Sequence, residues 1–310
     1  MPMTDLLTIA LPVYKRTDFV RSALDSAVKQ TVPCRILLID NNSPHYDFKT
    51  ILESYRNPLM TYHRNPETVP QDENFNNCFR FAQTKWVTIL HDDDMLHCQF
   101  VETARRILKQ FGESIGGFAV GSHVSEEEWK EVFTPKNRHN KKLKVINQPY
   151  YFFAQLSPFP GVVVKKDTAL ELGGFTNKLF PIADFDFWYR YNNHEKMLMV
   201  DEILAYYRIS SSQSTVQAFI DMINKIYIYR KELIAGSPYN NFLTRLSFQY
   251  ARAINIDYFR QTYPAFDPDG KILEPEKLIK TAKLLELPLM KKVIWKYIQW
   301  LSYKETYRLD

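Results

Sequence analysis

The ten residues 86–95, Trp-Val-Thr-Ile-Leu-His-Asp-Asp-Asp-Met, constrain this chain more than any other stretch. A run of apolar and β-branched residues passes directly into His91 and three consecutive carboxylates, Asp92, Asp93 and Asp94. Such a run reads as a buried strand. Its charges then emerge at the carboxyl edge of a sheet, which is where open α/β sheets bind ligands. Three adjacent aspartates raise one another's pKa unless a cation compensates. The cluster is therefore a candidate for a divalent ion, and all-oxygen ligands suit Mg²⁺ or Mn²⁺ better than zinc. The alternative for an isolated acidic triplet is a solvated turn.

The flanking pattern favours the sheet edge. Residues 6–11 form an apolar run broken by Pro12, and residues 35–40 form a second run closing on Asp40 and the turn Asn41-Asn42-Ser43-Pro44. Between and after them come helical spacings: 19–28, with Asp18 as the expected cap, then 48–55, 72–83 and 99–111. A third strand is expected over 59–63. Strand and helix alternating with short links implies a parallel sheet covered on both faces. The middle is less regular. Strands are expected near 115–122, 162–164 and 203–209, a short helix over 167–172 ending at Gly173-Gly174, and a charged exposed loop from Glu126-Glu127-Glu128 through Lys144. After about residue 215 the pattern is helical (216–234, 240–258, 276–287 and 290–308), with a loop at 264–270. The expected division is a nucleotide-binding α/β domain over 1–214 and a helical extension over 215–310.

Composition narrows the class. With 310 residues, 45% hydrophobic and 24% charged, the chain has room for one large or two smaller globular domains. No apolar run approaches the ~20 residues of a spanning helix. The net charge of +5 fits an anionic substrate or lipid surface without requiring nucleic acid as a partner. Cys34, Cys78 and Cys98 are odd in number and form no CxxC pair, so a reducing cytosol is the simplest compartment. Residues 1–11 carry no Lys or Arg, unlike a signal peptide.

Seven motifs in order resemble the family 2 glycosyltransferases of GT-A fold: Leu11-Pro12-Val13-Tyr14-Lys15-Arg16, Leu38-Ile39-Asp40-Asn41-Asn42-Ser43, Asn74 through Ala82, Leu90-His91-Asp92-Asp93-Asp94, Leu172-Gly173-Gly174-Phe175, Ala183-Asp184-Phe185-Asp186-Phe187-Trp188, and Tyr206-Tyr207-Arg208-Ile209. The resemblance spans roughly 6–214. It implies that a sugar leaves a nucleotide-sugar donor, of the UDP-linked kind, for a glycan or lipid-linked acceptor in surface polysaccharide biosynthesis, with inversion.

The resemblance also implies roles. Pro12, Tyr14, Arg16, Asp40, Asn42, Asn74, Asp92, Asp93 and Arg208 would contact the donor. Asp92 and Asp94 would hold Mn²⁺ or Mg²⁺, which stabilises the charge growing on the diphosphate leaving group. Which of the three aspartates takes which role stays open, and Asp94 could instead contact the sugar. Asp184 would be the general base that takes the acceptor proton, with Asp186 in reserve; the other reading of Asp184 is a helix cap. Asp40 can accept from a nucleobase imide N–H, or can cap its own turn.

The chain departs from the family pattern at three points. His91 stands where an acid is common, Ala183 where the acid before the base is common, and Ser210 where a His is common. His91 is either a compensating ligand or an aromatic strand end. These departures keep a nucleotide-binding protein without catalysis as an alternative, beside a metal-dependent phosphohydrolase. The Trp- and Lys-bearing C-terminal helix fits either the face of an anionic membrane or packing on the catalytic domain with snorkelling lysines. A cytoplasmic protein, peripheral to the inner membrane face, follows from the first.

Overall fold

Leu7–Val13 (β1) is buried along its whole length, as a central strand covered on both faces must be. In this computed structural model, which describes residues 6–125, 129–135, 141–156, 159–208, 216–262, 270–272 and 288–309, β1 is flanked by β2 (Arg35–Asp40) and β4 (Trp86–Ile89), and β2 by β3 (Met60–Arg64). All three pairings are parallel. The crossovers are α1 (Val20–Val28), α2 (Phe48–Glu53) and α3 (Gln71–Phe81).

Strand alternation explains the two layers. Leu7, Ile9, Leu11 and Val13 join Ala23, Leu24, Phe48, Phe100 and Ile107 in one core, so α1, α2 and α4 (Phe100–Phe111) cover that face. Ala10, Leu37, Ile39, Val87 and Ile89 face the other way, against Cys78 and Phe79 of α3 and Phe185, Phe187 and Trp188 of α7 (Ala183–His194).

Beyond β4 the mostly parallel sheet expected for this fold takes in antiparallel strands. The short β5 is Met95–Leu96, and β6 (Gly117–Ser125) and β7 (Lys142–Ile146) follow. The order continues as β8 (Val162–Lys165), β6, β9 (Met197–Arg208) and β7, with β10 (Tyr303–Arg308) on the edge. β8 is antiparallel to both β4 and β6, while β6 and β9 run parallel. β5 hydrogen-bonds antiparallel to β9, pairing Met95 with Tyr206. The motif acids are thereby tied to the strand that ends at Arg208. α5 (Tyr150–Phe153) and α6 (Lys166–Glu171) are short connectors.

Several local expectations change. α1 starts at Val20 with Phe19 at its cap position and no side-chain cap from Asp18. Part of the expected charged loop is strand β7, and Lys141 is buried, ion-paired with Glu202 and donating to Thr103 Oγ1 at 2.6 Å. The C-terminal helix, α10 (Pro288–Ser302), stops short of 308 because Tyr303–Arg308 pairs antiparallel with β7. The helices α8 (Val216–Ala235) and α9 (Phe242–Thr262) pack with α10 and α5 around Phe152, Tyr227, Phe248, Ile294 and Ile298. The expected helix over 276–287 and nearly all of the 264–270 loop lie outside the described residues, as do Ser210 and Gln213.

Candidate active site

The carboxyl ends of β1, β2, β3 and β4 share one sheet edge, and four of the motifs meet there. β1 runs out into Tyr14-Lys15-Arg16. Pro12 is buried inside the strand, where its missing N–H is tolerated because the pairing of β4 with β1 ends at Ala10 and Ile89. Lys15 has φ 59°, and its N–H donates to Ser43 Oγ at 3.1 Å, joining the β1 turn to the β2 turn. Tyr14 is partly exposed, its ring under Lys15 Nζ at 4.7 Å. Hydrogen bonding to Lys15 holds its phenol below the usual range.

The turn carries Arg16 to the tip of β4. One guanidinium nitrogen pairs with Asp92 Oδ1 and the other lies 3.0 Å from Asp93 Oδ2. Asp94 is fully buried, and its Oδ1 accepts from Arg208 N–H at 2.9 Å. Arg208 Nε donates to the Asp93 carbonyl at 3.0 Å, and its guanidinium stacks on Phe19 and Tyr206. Burial, and then Asp93, push Asp92 up to about 6 against the pull of Arg16. Burial and Asp93 likewise hold Asp94 well above the usual carboxylate range.

Three carboxylates meet two arginines here, and burial opposes ionisation of Asp94 unless a further cation arrives. Asp94 Oδ2 and His91 Nε2 are buried without a hydrogen-bond partner, and buried polar atoms are rarely left so. His91, Asp93 and Asp94 each offer a ligand atom, and these atoms lie within 4.8 Å of one another. His91 is held against Phe75 and Phe159, and burial lowers its pKa to about 4, so the imidazole is neutral with a lone pair to give. These residues fit a divalent cation. The geometry assembles them around Asp93 and Asp94 with His91, while Asp92 faces Arg16. The sequence could not separate these roles, because the chain turns at Asp92 and Asp93 and strand alternation does not apply there.

Asp40 is completely buried and saturated. Its Oδ1 accepts from Ser43 N–H at 2.9 Å, and its Oδ2 accepts from Tyr62 Oη at 2.7 Å and Arg64 Nη1 at 2.8 Å. The turn-capping alternative for Asp40 is therefore present. Arg64 was not anticipated; it also donates to Asn42 Oδ1 and the Ser43 carbonyl, bracing the turn where Asn42 adopts φ 54°. Its place opposite Asp40 on β3 was the available signal.

Asn74 is buried in an amide relay. Asn65 Nδ2 donates to Asn74 Oδ1 at 2.9 Å and to Asn41 Oδ1 at 3.0 Å, while Asn77 Nδ2 donates to Asn65 Oδ1 at 3.1 Å. Asn41 also exchanges hydrogen bonds with the Val69 backbone. The helix that precedes β4 is thus locked to the β2 turn.

Asp184 lies half-buried in the first turn of α7, its carboxylate hydrogen-bonded to backbone N–H groups of that turn. Burial raises its pKa to about 6. The Tyr207 phenol is held above the usual range by burial and then by the charges of Asp94, Asp93 and Asp184. Asp186 is occupied elsewhere, accepting from Arg190 Nε at 2.7 Å and Tyr229 Oη at 3.0 Å.

A nucleotide-type sheet edge, an acidic tip on β4 and a carboxylate helix start beside it define a GT-A glycosyltransferase, an enzyme class that takes sugars from activated donors. The sequence profile described as Glycosyl transferase family 2 matches residues 8–159, about half of the chain. An uncharacterised glycosyltransferase of Haemophilus influenzae is 23% identical over 233 residues, covering 72% of this chain and 77% of that one. S. aureus TarS 1-349 in complex with UDP superposes with a TM-score of 0.56 at 12% identity, covering 94% of this chain and 78% of that one. The mannosyltransferase PcManGT from Pyrobaculum calidifontis, in complex with GDP-Man and Mn²⁺, gives 0.55 at 13% identity, with 94% and 84% covered. Residues 8–159 thus form a glycosyl transferase family 2 domain. Among the described residues, no helix is long and apolar enough to cross a membrane.

Proposed function

We propose that this glycosyltransferase moves a sugar from a UDP-linked donor to a hydroxyl of a glycan or lipid-linked acceptor in surface polysaccharide biosynthesis, with inversion and with Mn²⁺ or Mg²⁺. The observation that carries the reading is the convergence of Arg16, Asp92, Asp93, Asp94 and Arg208 at one sheet edge, with buried ligand atoms of His91 and Asp94 left without partners. His91, Asp93 and Asp94 would hold the metal, with Asp92 beside them. When bound, the ion supplies Lewis-acid stabilisation of the diphosphate leaving group. Arg16 and Tyr14 would flank the diphosphate and nucleoside, and Asp40, Asn42 and Arg64 would shape the base pocket. Asp184, raised toward neutrality, would take the acceptor proton, and Tyr207 would orient it. Neighbours in the fold that bind UDP and GDP-Man support a nucleotide-sugar donor.

A lipid-linked acceptor would bring the enzyme to the inner face of the membrane. Supporting this, α10 has two apolar faces. Ile294, Ile298 and Leu301 are buried inward, while Leu289, Val293 and Trp300 share the opposite side by helical spacing and are 72%, 43% and 69% exposed, next to Lys292 and Lys296.

Thermal denaturation tests the core of the proposal. UDP with Mn²⁺ should raise the melting temperature more than the sum of either alone. No shift with any nucleoside diphosphate and metal sinks it.

A further inference from the structure

We infer that Arg16 is the chain's own counter-cation for the metal site, and the residue that couples nucleotide binding to metal binding. The inference rests on the β4 tip being the diphosphate and metal site. The β1 turn aims Arg16 along the sheet edge at two carboxylates that are 8% and 4% exposed, while its own side chain is 37% exposed. A buried anionic pair is thus capped by a cation that solvent reaches.

Asp93 is shared between two arrangements. It pairs with Arg16, and it belongs to the group with His91 and Asp94. Asp94 Oδ2, fully buried and without a hydrogen-bond partner, is a ligand atom that Arg16 does not occupy. In the nucleotide-free chain Arg16 therefore opposes a divalent ion twice: it repels the ion, and it competes for Asp93. A diphosphate offers the guanidinium fork a matching set of oxygens. Arg16 then turns from Asp92 and Asp93 to the diphosphate, and both aspartates are released toward the ion. The consequence is weak binding of bare metal and strong mutual reinforcement of metal and nucleotide, equal in both directions.

Calorimetric titration of the full chain with Mn²⁺ alone, UDP alone and both together tests this. Arg16→Gln should bind Mn²⁺ alone about tenfold more tightly, the scale of one removed charge-assisted pair. It should bind UDP alone more weakly, and the factor by which UDP tightens Mn²⁺ should shrink. A distorted fold would weaken both ligands, so the opposed signs separate coupling from damage. Arg16→Lys, which keeps the charge without the fork, should stay nearer the wild type for Mn²⁺ alone. Adding Asp93→Asn to Arg16→Gln should abolish the gain. Unchanged or weakened Mn²⁺ binding in Arg16→Gln, or a gain that survives Asp93→Asn, overturns the inference. If the wild-type chain binds UDP and Mn²⁺ but Arg16→Gln shifts neither, the inference alone falls. If the wild type binds neither, even together, the functional proposal falls with it.

Discussion

Asn76 and Phe175 lie 99 positions apart and are joined by two hydrogen bonds between the Asn76 side chain and the Phe175 backbone: Asn76 Oδ1 accepts from Phe175 N–H at 2.9 Å, and Asn76 Nδ2 donates to the Phe175 carbonyl at 3.0 Å. The clamp fixes the Gly173-Gly174 turn against α3. It also explains why residue 174 has no side chain. Its φ is +61°, and a Cβ there would stand 2.1 Å from Asn76 Oδ1. Two substitutions should therefore converge. Asn76→Ala should cost about 2–3 kcal/mol by leaving two backbone groups buried and unpaired. Gly174→Ala should cost at least about 2 kcal/mol from strain and overlap. Urea denaturation measures both, and the double variant should lose less than the sum, since removing the amide also removes the overlap.

Asp184→Asn should abolish transfer while leaving UDP affinity close to wild type, as measured by turnover and calorimetry. Loss of UDP binding as well would make Asp184 a donor-binding residue. The pKa of about 6 sets the pH profile. The base works only when ionised, so the rate should rise about tenfold per pH unit below 6 and level off above it. Stability runs the other way. The folded chain holds this proton more tightly than the unfolded chain, so Asp184 costs stability as pH rises from 3.8 through 6. Asp184→Asn should thus be more stable than wild type at pH 7–8 by up to about 3 kcal/mol, with the gain vanishing near pH 3.5.

Asn65→Ala should disconnect Asn41, Asn74 and Asn77 at once. Three buried amides would lose partners, for about 2–4 kcal/mol. Because the relay ties α3 to the β2 turn, the UDP-induced melting shift should also shrink. A full shift in Asn65→Ala would mean that the turn holds its shape without the relay.

Leu289→Ser, Val293→Ser and Trp300→Ser together should release the chain from vesicles containing anionic lipid in a flotation assay, with the melting temperature nearly unchanged. These substitutions are a cleaner probe than truncation, because a cut before Met290 would also remove β10 from the sheet edge. Equal flotation of the variant and wild type removes the membrane reading.

Local pattern determined much of this protein. The runs ending at Asp40 and at Asp92-Asp93-Asp94 were legible as strands because apolar continuity, and its abrupt end, are properties of neighbouring residues. So were the helical faces of α1, α3 and α4 and the Gly-Gly turn. What the sequence could not decide were relationships across the sheet. The antiparallel insertion of β8, the return of Tyr303–Arg308 to β7, and the bracing of Asp40 by Arg64 all depend on which strands become neighbours. The assignment within the acidic triplet had the same character. Adjacent aspartates look alike in sequence, yet the β1 turn brings Arg16 to Asp92 and Asp93, and β9 brings the Arg208 N–H to Asp94. Charge and burial then set each one's chemistry, and only the tertiary structure supplies those neighbours.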